Sequence, residues 1–468
     1  MRRRPNILFI LSDDQGAWAL GSAGNGDIQT PNLDALAARG IRLGNFFCAS
    51  PVCSPARATL LTGKIPSAHG VHDYVEGHAA GEGRLDFLEG QALVTESFAE
   101  HGYTTGIVGK WHLGASDRPR PGFHHWYVLE GGRSDYNKAR LYRGTNPETV
   151  DGYLTDIFAN EAIAFLESAA HTERPFFLSL NFTAPHKPWK GQHPREVERM
   201  YENCAFESCP QESPHPWLAT RNGMAIAAEP DTRAALIGYF AAVTAMDEAI
   251  GRVLEELDLL EMREDTIVVF SSDNGFNCGH HGVWGKGNGT LPQNMYDSSV
   301  KVPMIVAQPN RIAGGLLLDQ LLSAYDLPAT LLDLAGIDPA PFEVGPGKSF
   351  ASLLLSPREP ANPRAVVVFD EYGPVRMIRT LEWKYVHRFP LGPNELYNLM
   401  EDPGEQRNRV DDPDDQAVVR ELRIRLHEWF ELHSEPGSDG RWLPVSGGGQ
   451  SGLVSIDPLG AFSARQVD

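Results

Sequence analysis

Cysteine is scarce in this chain. Its 468 residues hold five, Cys48, Cys53, Cys204, Cys209 and Cys278, an odd number too sparse for a disulfide framework. No Cys-x-x-Cys pair occurs, which argues against a cysteine zinc site. Cys204 and Cys209 would bridge in an oxidising compartment, and two free thiols in a loop is the equal alternative. Basic residues are also in deficit: 41 Lys and Arg face 61 Asp and Glu, for a net charge of −20. Such a surface argues against nucleic acid as a partner, and any anion pocket must carry its own positive charge. No apolar run approaches the length of a membrane span, so no membrane partner is expected. The opening apolar run Asn6–Leu11 is too short for a signal peptide and stops at Ser12-Asp13-Asp14 without a cleavage site. The expectation is a first strand in a cytoplasmic protein, or a periplasmic or secreted one if a leader has been removed. Internal repeats and low-complexity tracts are absent as well.

What the chain does have is a set of β-rich apolar runs that end in chemically capable residues. Asn6–Leu11 ends in Ser12-Asp13-Asp14 and Thr104–Val108 in Gly109-Lys110-Trp111-His112. Phe176–Phe182 ends in Thr183-Ala184-Pro185-His186 and Thr266–Phe270 in Ser271-Ser272-Asp273-Asn274. Unbroken runs of this kind suit strands buried on both faces of a mostly parallel sheet. Open α/β sheets place their sites beyond the carboxyl ends of such strands, so the four runs point to one shared cleft. Helical patterns alternate with them. Thr30 and Pro31 serve as cap and first-turn proline for a helix over Asn32–Arg39, closed by Gly40. Thr232–Leu257 carries a long apolar periodicity.

The order predicts an α/β fold with a large, mostly parallel or mixed central sheet flanked by helices. Prolines at 357, 360 and 363 mark a linker. The expected division is a catalytic domain over residues 1–358 and a smaller α+β subdomain over 359–468. In the second, short strands over Ala365–Phe369, Val375–Ile378 and Lys384–His387 form a small antiparallel sheet. A helix near Gln416–Glu431 would pack by Val419, Leu422, Leu426 and Trp429.

Two groups of residues carry chemistry. Cys53-Ser54-Pro55-Ala56-Arg57 runs on through Ala58–Leu61 to Thr62-Gly63-Lys64. Ser54–Leu61 reads as a short helix with Pro55 near its start and Gly63 past its end. Cys53 then sits at a helix N-terminus, where free N–H groups and the dipole favour an anion, and Arg57 reaches back from one turn on. Asp13, Asp14, Asp273 and Asn274 are hard oxygen donors at two strand ends. Singly, each pair is an ordinary turn or cap. Together they suit Ca²⁺ or Mg²⁺ and not zinc.

These segments resemble the type I sulfatases of the alkaline-phosphatase-like superfamily. Cys53–Lys64 fills every fixed position of that family's C-x-P-[SA]-R-x(4)-T-G-[KR] signature. Gly109–His112 is similar to its G-K-W-H motif, Ala184–Trp189 to A-P-H-x-P-[WF], and His281–Lys286 to H-G-x-x-x-K. Lys301–Val306, Asp326–Gly336, Glu395–Leu399 and Asp402–Glu405 resemble the family's later core. The resemblance implies that a maturation enzyme oxidises Cys53 to formylglycine. Its hydrate attacks sulfur, the alcohol leaves, and loss of a proton from the second hydroxyl re-forms the aldehyde and expels sulfate. It further implies Ca²⁺, with Mg²⁺ as the alternative, held by Asp13, Asp14, Asp273, Asn274 and residue 53. Lys110 and Lys286 would hold sulfate oxygens, His112 would tune the formylglycine hydroxyls, and His186 would act toward the leaving group.

The implied partner is a small sulfated substrate, a saccharide on the family's habit, with an aryl sulfate as the alternative. Phosphonate and phosphodiester hydrolases of the same superfamily fit less well, because their late metal pair ends in Asp-His where this chain has Asp273-Asn274. A non-catalytic sulfoglycan-binding protein is the reading of another class. The segments Ala115–Val150 and Trp189–Asp231 would wall the cleft with Arg118, Arg120, His124, His125, Trp126, Arg133, Tyr136, Asn137, Trp217 and Arg221. Asn288-Gly289-Thr290 would lie near the leaving group, Lys187 and Lys190 read as surface charges, and His280 is open.

Overall fold

Strand Asn6–Ser12 lies inside a ten-stranded sheet, parallel to Thr266–Ser272 on one side and to Phe176–Asn181 on the other. The computed structural model describes residues 4–218, 220–221, 224–225, 228–357 and 368–463. On the first side the sheet continues from Thr266–Ser272 through Met304–Ala307 and Ile41–Phe47 to Leu316–Ser323. On the other it continues through Thr104–Gly109, His125–Leu129 and Lys138–Arg143 to Asn146–Asp151. All of these strands except Met304–Ala307 and Lys138–Arg143 point the same way.

Period-two side-chain alternation explains the unbroken apolar runs. Ile7, Phe9 and Leu11 enter one core, and Leu8 and Ile10 the other. Ile267 and Val269 likewise oppose Val268 and Phe270. A strand covered on both faces needs no polar alternation. Helices Pro31–Arg39, Leu154–Ala170 and Thr232–Leu259 cover one face; Val94–Glu100 and Leu327–Leu334 cover the other. Thr232–Leu259 is long and apolar enough to cross a membrane, contrary to the reading that no segment reached that length. It is buried over most of that stretch and serves as a core helix.

Other expectations also change. Thr30 does not cap helix Pro31–Arg39 with its side chain. The cap comes from Asp247 of the long helix, which accepts from the Asn32 and Leu33 N–H groups at 3.0 and 2.8 Å. Ala115–Val150 is not a cleft wall throughout, because it supplies three strands of the sheet. Trp126 is buried in a core cluster, and Arg120 is paired with Asp86 at 2.5 Å. All five cysteines are free, the second of the two alternatives for Cys204 and Cys209.

The expected linker and the start of the Ala365–Phe369 strand fall on residues 358–367, outside the described residues; the strand spans Val368–Tyr372. It opens a four-stranded antiparallel sheet completed by Val375–Arg379, Trp383–Arg388 and Glu395–Asn398. Helix Gln416–His433 packs on this sheet through Leu422, Leu426 and Phe430, with Val419 and Trp429 only partly buried at the seam. The chain then returns to residues 73–75, where the Gly449 N–H donates to Asp73 at 3.1 Å and Gln450 bridges to Val75.

Helix Cys53–Thr62 follows strand Ile41–Phe47 and ends at Gly63, whose φ of 68° and N–H bond to the Thr59 carbonyl close it in the left-handed region. His69 braces it from behind. Its Nδ1 accepts from the Val71 N–H at 3.1 Å, so the neutral ring carries its proton on Nε2, 3.2 Å from Thr59 Oγ1. Burial, with His72 and Lys64 adding to it, holds His69 well below the usual histidine range. The fold therefore favours the uncharged ring. Its contribution to stability is complete above the unfolded value near 6.5 and falls by about 1.4 kcal/mol per pH unit below it. Urea melts between pH 6.5 and 5 should lose stability more steeply than that, because His112 and His186 are also held neutral by burial, and His69→Gln should reduce the slope by one proton's worth. An undiminished slope would assign the acid sensitivity elsewhere.

Candidate active site

The carboxyl ends of the co-directed strands converge. Asp13 and Asp14 follow the strand Asn6–Ser12, Lys110 and His112 follow Thr104–Gly109, His186 follows Phe176–Asn181, and Asp273 and Asn274 follow Thr266–Ser272. Helix Cys53–Thr62 brings Cys53 into their midst as its first residue. Gly109, with φ of 109°, lets the chain leave its strand against the neighbouring one. A Cβ there would stand 1.9 Å from the Asn181 carbonyl oxygen. Asp14 and His112 hold φ of 67° and 58°, a left-handed conformation that costs a non-glycine residue about 1 kcal/mol or more and clusters at functional sites.

One ligand atom each from Asp13, Asp14, Cys53 and Asp273 lies within 4.8 Å of the others. Cys53 Sγ donates to Asp13 Oδ1 at 3.3 Å and receives Lys286 Nζ at 2.7 Å. Lys286 also bonds Asp14 and stands 3.4 Å from Asn274 Oδ1. Asn274 Nδ2 donates to Asp14 Oδ1 at 2.7 Å. Lys110 Nζ meets Asp13 Oδ2 at 2.5 Å. Arg57 donates through Nε to Asp273 Oδ2 at 2.9 Å and through Nη1 to the Lys110 carbonyl at 3.0 Å. Asp13, Asp14, Asp273, Lys110 and Arg57 are almost completely buried. Three carboxylates therefore face three cations. A divalent ion among the carboxylates would leave the site net positive, as an anionic ester requires in a chain of charge −20. Three carboxylates and the Asn274 amide oxygen fit a hard cation, while His186 joins only a smaller group with Asp13 and Cys53.

Electrostatics sort these groups. Burial would raise the Asp14 carboxyl, but Lys286, with Lys110 adding to it, holds it far below its usual value. Burial and Asp13 raise Asp273 against the pull of Arg57. Lys286 is pushed well up, because Asp14, with Asp13 and Asp273 behind it, outweighs its desolvation. Burial, aided by Asp13, lifts the Cys53 thiol against Lys110 and Lys286, so the unmodified side chain is a protonated, poor nucleophile. Burial lowers His186 to about 3 and holds His112 well below the usual histidine range, each reinforced by Lys110. Both imidazoles are neutral here. His186 Nε2 stands 3.8 Å from Asp14 Oδ2, while His112 Nε2 faces the Val75 carbonyl at 3.1 Å.

Every residue expected at the site is thus brought to it. Sequence reading missed the residues that hold them. Ser54 donates to the His112 carbonyl at 2.8 Å, Asn181 to the Lys110 carbonyl at 3.1 Å, and Tyr239 to the Asp14 carbonyl at 2.9 Å. They act on backbone atoms far along the chain, and nothing local marks them. His280 lies outside the site; its Nε2 faces the Ser208 carbonyl. Of the expected wall residues, Trp217 underlies Arg388 at 5.0 Å, and the side chain of Arg221 is outside the described residues.

A family model described as Sulfatase matches residues 5–337, and one described as N-sulphoglucosamine sulphohydrolase, C-terminal, matches residues 279–431. The chain is 32% identical to an ulvan-active sulfatase of Formosa agariphila, across 91% of this chain and 81% of that protein. It is 27% identical to an N-acetylglucosamine-6-O-sulfatase of Bacteroides thetaiotaomicron, across 93% and 88%. A solved structure of a protein with its substrate D-glucosamine-2-N,6-O-disulfate aligns with a TM-score of 0.75 at 25% identity, covering 93% of this chain and 99% of that one.

Proposed function

Because this chain belongs to the sulfatase family and so hydrolyses sulfuric esters, we propose that its substrate is a saccharide sulfate and that Cys53, as formylglycine, is the nucleophile. The sugar assignment is supported by the saccharide-directed relatives. The observation that carries the site assignment is the meeting of residue 53 with three carboxylates and three cations in one buried cluster. Ca²⁺ held by Asp13, Asp14, Asp273 and Asn274 would polarise an S–O bond and offset the ester's charge.

The chain's own residues do the rest. Cys53 Sγ marks where the formylglycine oxygens would stand, at the helix N-terminus. Lys110 spends one N–H on Asp13, and its remaining two are free to bind sulfate oxygens. Lys286, already against residue 53, meets the charge that develops on the bridging oxygen. His186 stands toward the leaving group; its Nδ1–H is engaged by the Lys187 carbonyl at 2.6 Å, so its Nε2 must first take up a proton, which the ester's negative charge favours, before handing it to the departing alcohol. His112, fixed by its bond at Val75, positions the nucleophile from the opposite side.

Release of inorganic sulfate from 4-nitrophenyl sulfate and from a panel of sulfated mono- and disaccharides tests this reading. Chelation should abolish activity, and Ca²⁺ should restore it. Intact mass should show residue 53 lighter by the difference between thiol and aldehyde. Full turnover by a chelated protein with an unmodified Cys53, or faster cleavage of a phosphonate or phosphodiester than of every sulfate ester, would overturn it.

A further inference from the structure

One wall of the cleft is built from two loops stitched together. Gly132 packs on the site imidazole: a Cβ there would stand 2.1 Å from His112 Nε2. Tyr136 is buried, and its hydroxyl donates to the carbonyls of Thr183 and His186 at 3.1 and 2.8 Å. Gln192 adds two ties. Its Oε1 accepts from the Tyr136 N–H at 3.0 Å, and its carbonyl accepts from Asn137 Nδ2 at 3.0 Å. The loop of residues 131–137 and the turn of residues 183–192 therefore form one surface, with His112 and His186 at its inner edge.

Arg133 directly follows the glycine that touches His112, and Lys187 directly follows His186. Both are exposed. Lys187 lies within electrostatic reach of Asp14, Lys286, Arg133 and Glu229. Glu229 is already engaged by Lys190 at 2.6 Å. Among the described residues neither Arg133 nor Lys187 makes an ion pair or a side-chain hydrogen bond. Lys187 thus feels Arg133 as a like charge at the mouth of the site, and among the described residues neither is paired with a carboxylate of the chain. Surface charges normally arrange themselves to avoid such repulsion, and a ligand anion would relieve it.

We propose that Arg133 and Lys187 form a second anion subsite, selecting sulfate esters that carry another carboxylate or sulfate beside the scissile group, as polyanionic saccharides do. The inference rests on the sulfatase reading and narrows its substrate class. Arg133, with its planar fork, takes a carboxylate or sulfate through two N–H groups, and Lys187 adds a point charge.

The test compares 4-nitrophenyl sulfate with its 2-carboxy and 3-carboxy analogues, using formylglycine-bearing, Ca²⁺-loaded wild type, Arg133→Ala, Lys187→Ala and the double variant. The ratio of kcat/KM for a carboxylated to the plain ester cancels intrinsic reactivity when variant and wild type are compared. For at least one isomer, that ratio should fall about three- to tenfold with the loss of each cation. The wild-type ratio should also fall with added salt, and that of the double variant should not. A double variant with unchanged ratios, or one that loses both substrates equally, would overturn the subsite while leaving the sulfatase reading intact. Failure of wild type on all three esters and on every sulfated mono- and disaccharide would remove that reading and the subsite with it.

Discussion

A Cys53→Ser protein will fold, bind a divalent cation and complete at most one turnover. The fold is spared because the substitution exchanges a thiol for a hydroxyl whose neighbours are polar: Asp13, Asp14 and Lys286. Each can bond the smaller oxygen, and the helix N-terminus behind it is unchanged. The serine oxygen can still attack sulfur, with Lys286 meeting the leaving group. What it lacks is an exit. A hydrated aldehyde has a second hydroxyl whose proton loss breaks the C–O bond to the sulfo group, whereas a serine sulfate must wait for water. Water would have to displace that ester within a cluster that is almost completely buried. The expected record is a burst of alcohol stoichiometric with protein, a chain carrying one sulfo group by intact mass, and steady turnover at least about 10⁴-fold below wild type. Sustained multiple turnover would sink the formylglycine assignment. Wild-type chain made in a host without the maturation enzyme should be inactive too, but without the burst, since its thiol is held protonated.

Much of this was legible in the sequence, because the site is built where period-two apolar runs stop. Asn6–Ser12 and Thr266–Ser272 are uninterrupted because both faces are covered, and the parallel arrangement puts Asp13 beside Asp273 without any contact information. The helix at Cys53 was readable from Pro55 and Gly63. Less legible were features set by partners distant along the chain. Asp247 caps a helix more than two hundred residues earlier, which made Thr30 look like the cap. Lys138–Arg143 and Asn146–Asp151 are hard to read because they lie at the margin of the sheet, beyond the buried strand His125–Leu129. Lys138–Arg143 there alternates exposed and buried residues, and Asn146–Asp151 buries none fully. With such weak apolar character the stretch reads as loop. Tyr136 and Gln192, which join the two wall loops, act largely on backbone groups and leave no spacing to find.

Arg57→Ala will unfold the site's electrostatics before it touches the chemistry. Arg57 is 3% exposed, and its guanidinium spans Asp273 at 2.8 Å, the Lys110 carbonyl at 3.0 Å and Asp13 at 4.0 Å. Removing it leaves three buried carboxylates facing two ammonium groups, and a cavity at the centre of the helix. Stripping one partner from a buried, hydrogen-bonded ion pair costs about 3–5 kcal/mol. Denaturant melts in chelator should show a loss of that size. The deficit is one of positive charge among oxygen donors, so a divalent cation stabilises the variant more than the wild type. Ca²⁺ titration should therefore narrow the gap between the two proteins. Arg57→Lys separates charge from geometry. It restores the cation but has no fork to reach Asp273 and the Lys110 carbonyl together. Its stability should be intermediate, whereas its kcat should stay about 10²- to 10³-fold down, since Lys110 and Asp273 lose the group that sets their spacing. If Arg57→Ala melts within about 1 kcal/mol of wild type in chelator, then Asp273 must be protonated in the resting site. The balance of three acids against three bases would then not be what holds the cluster together.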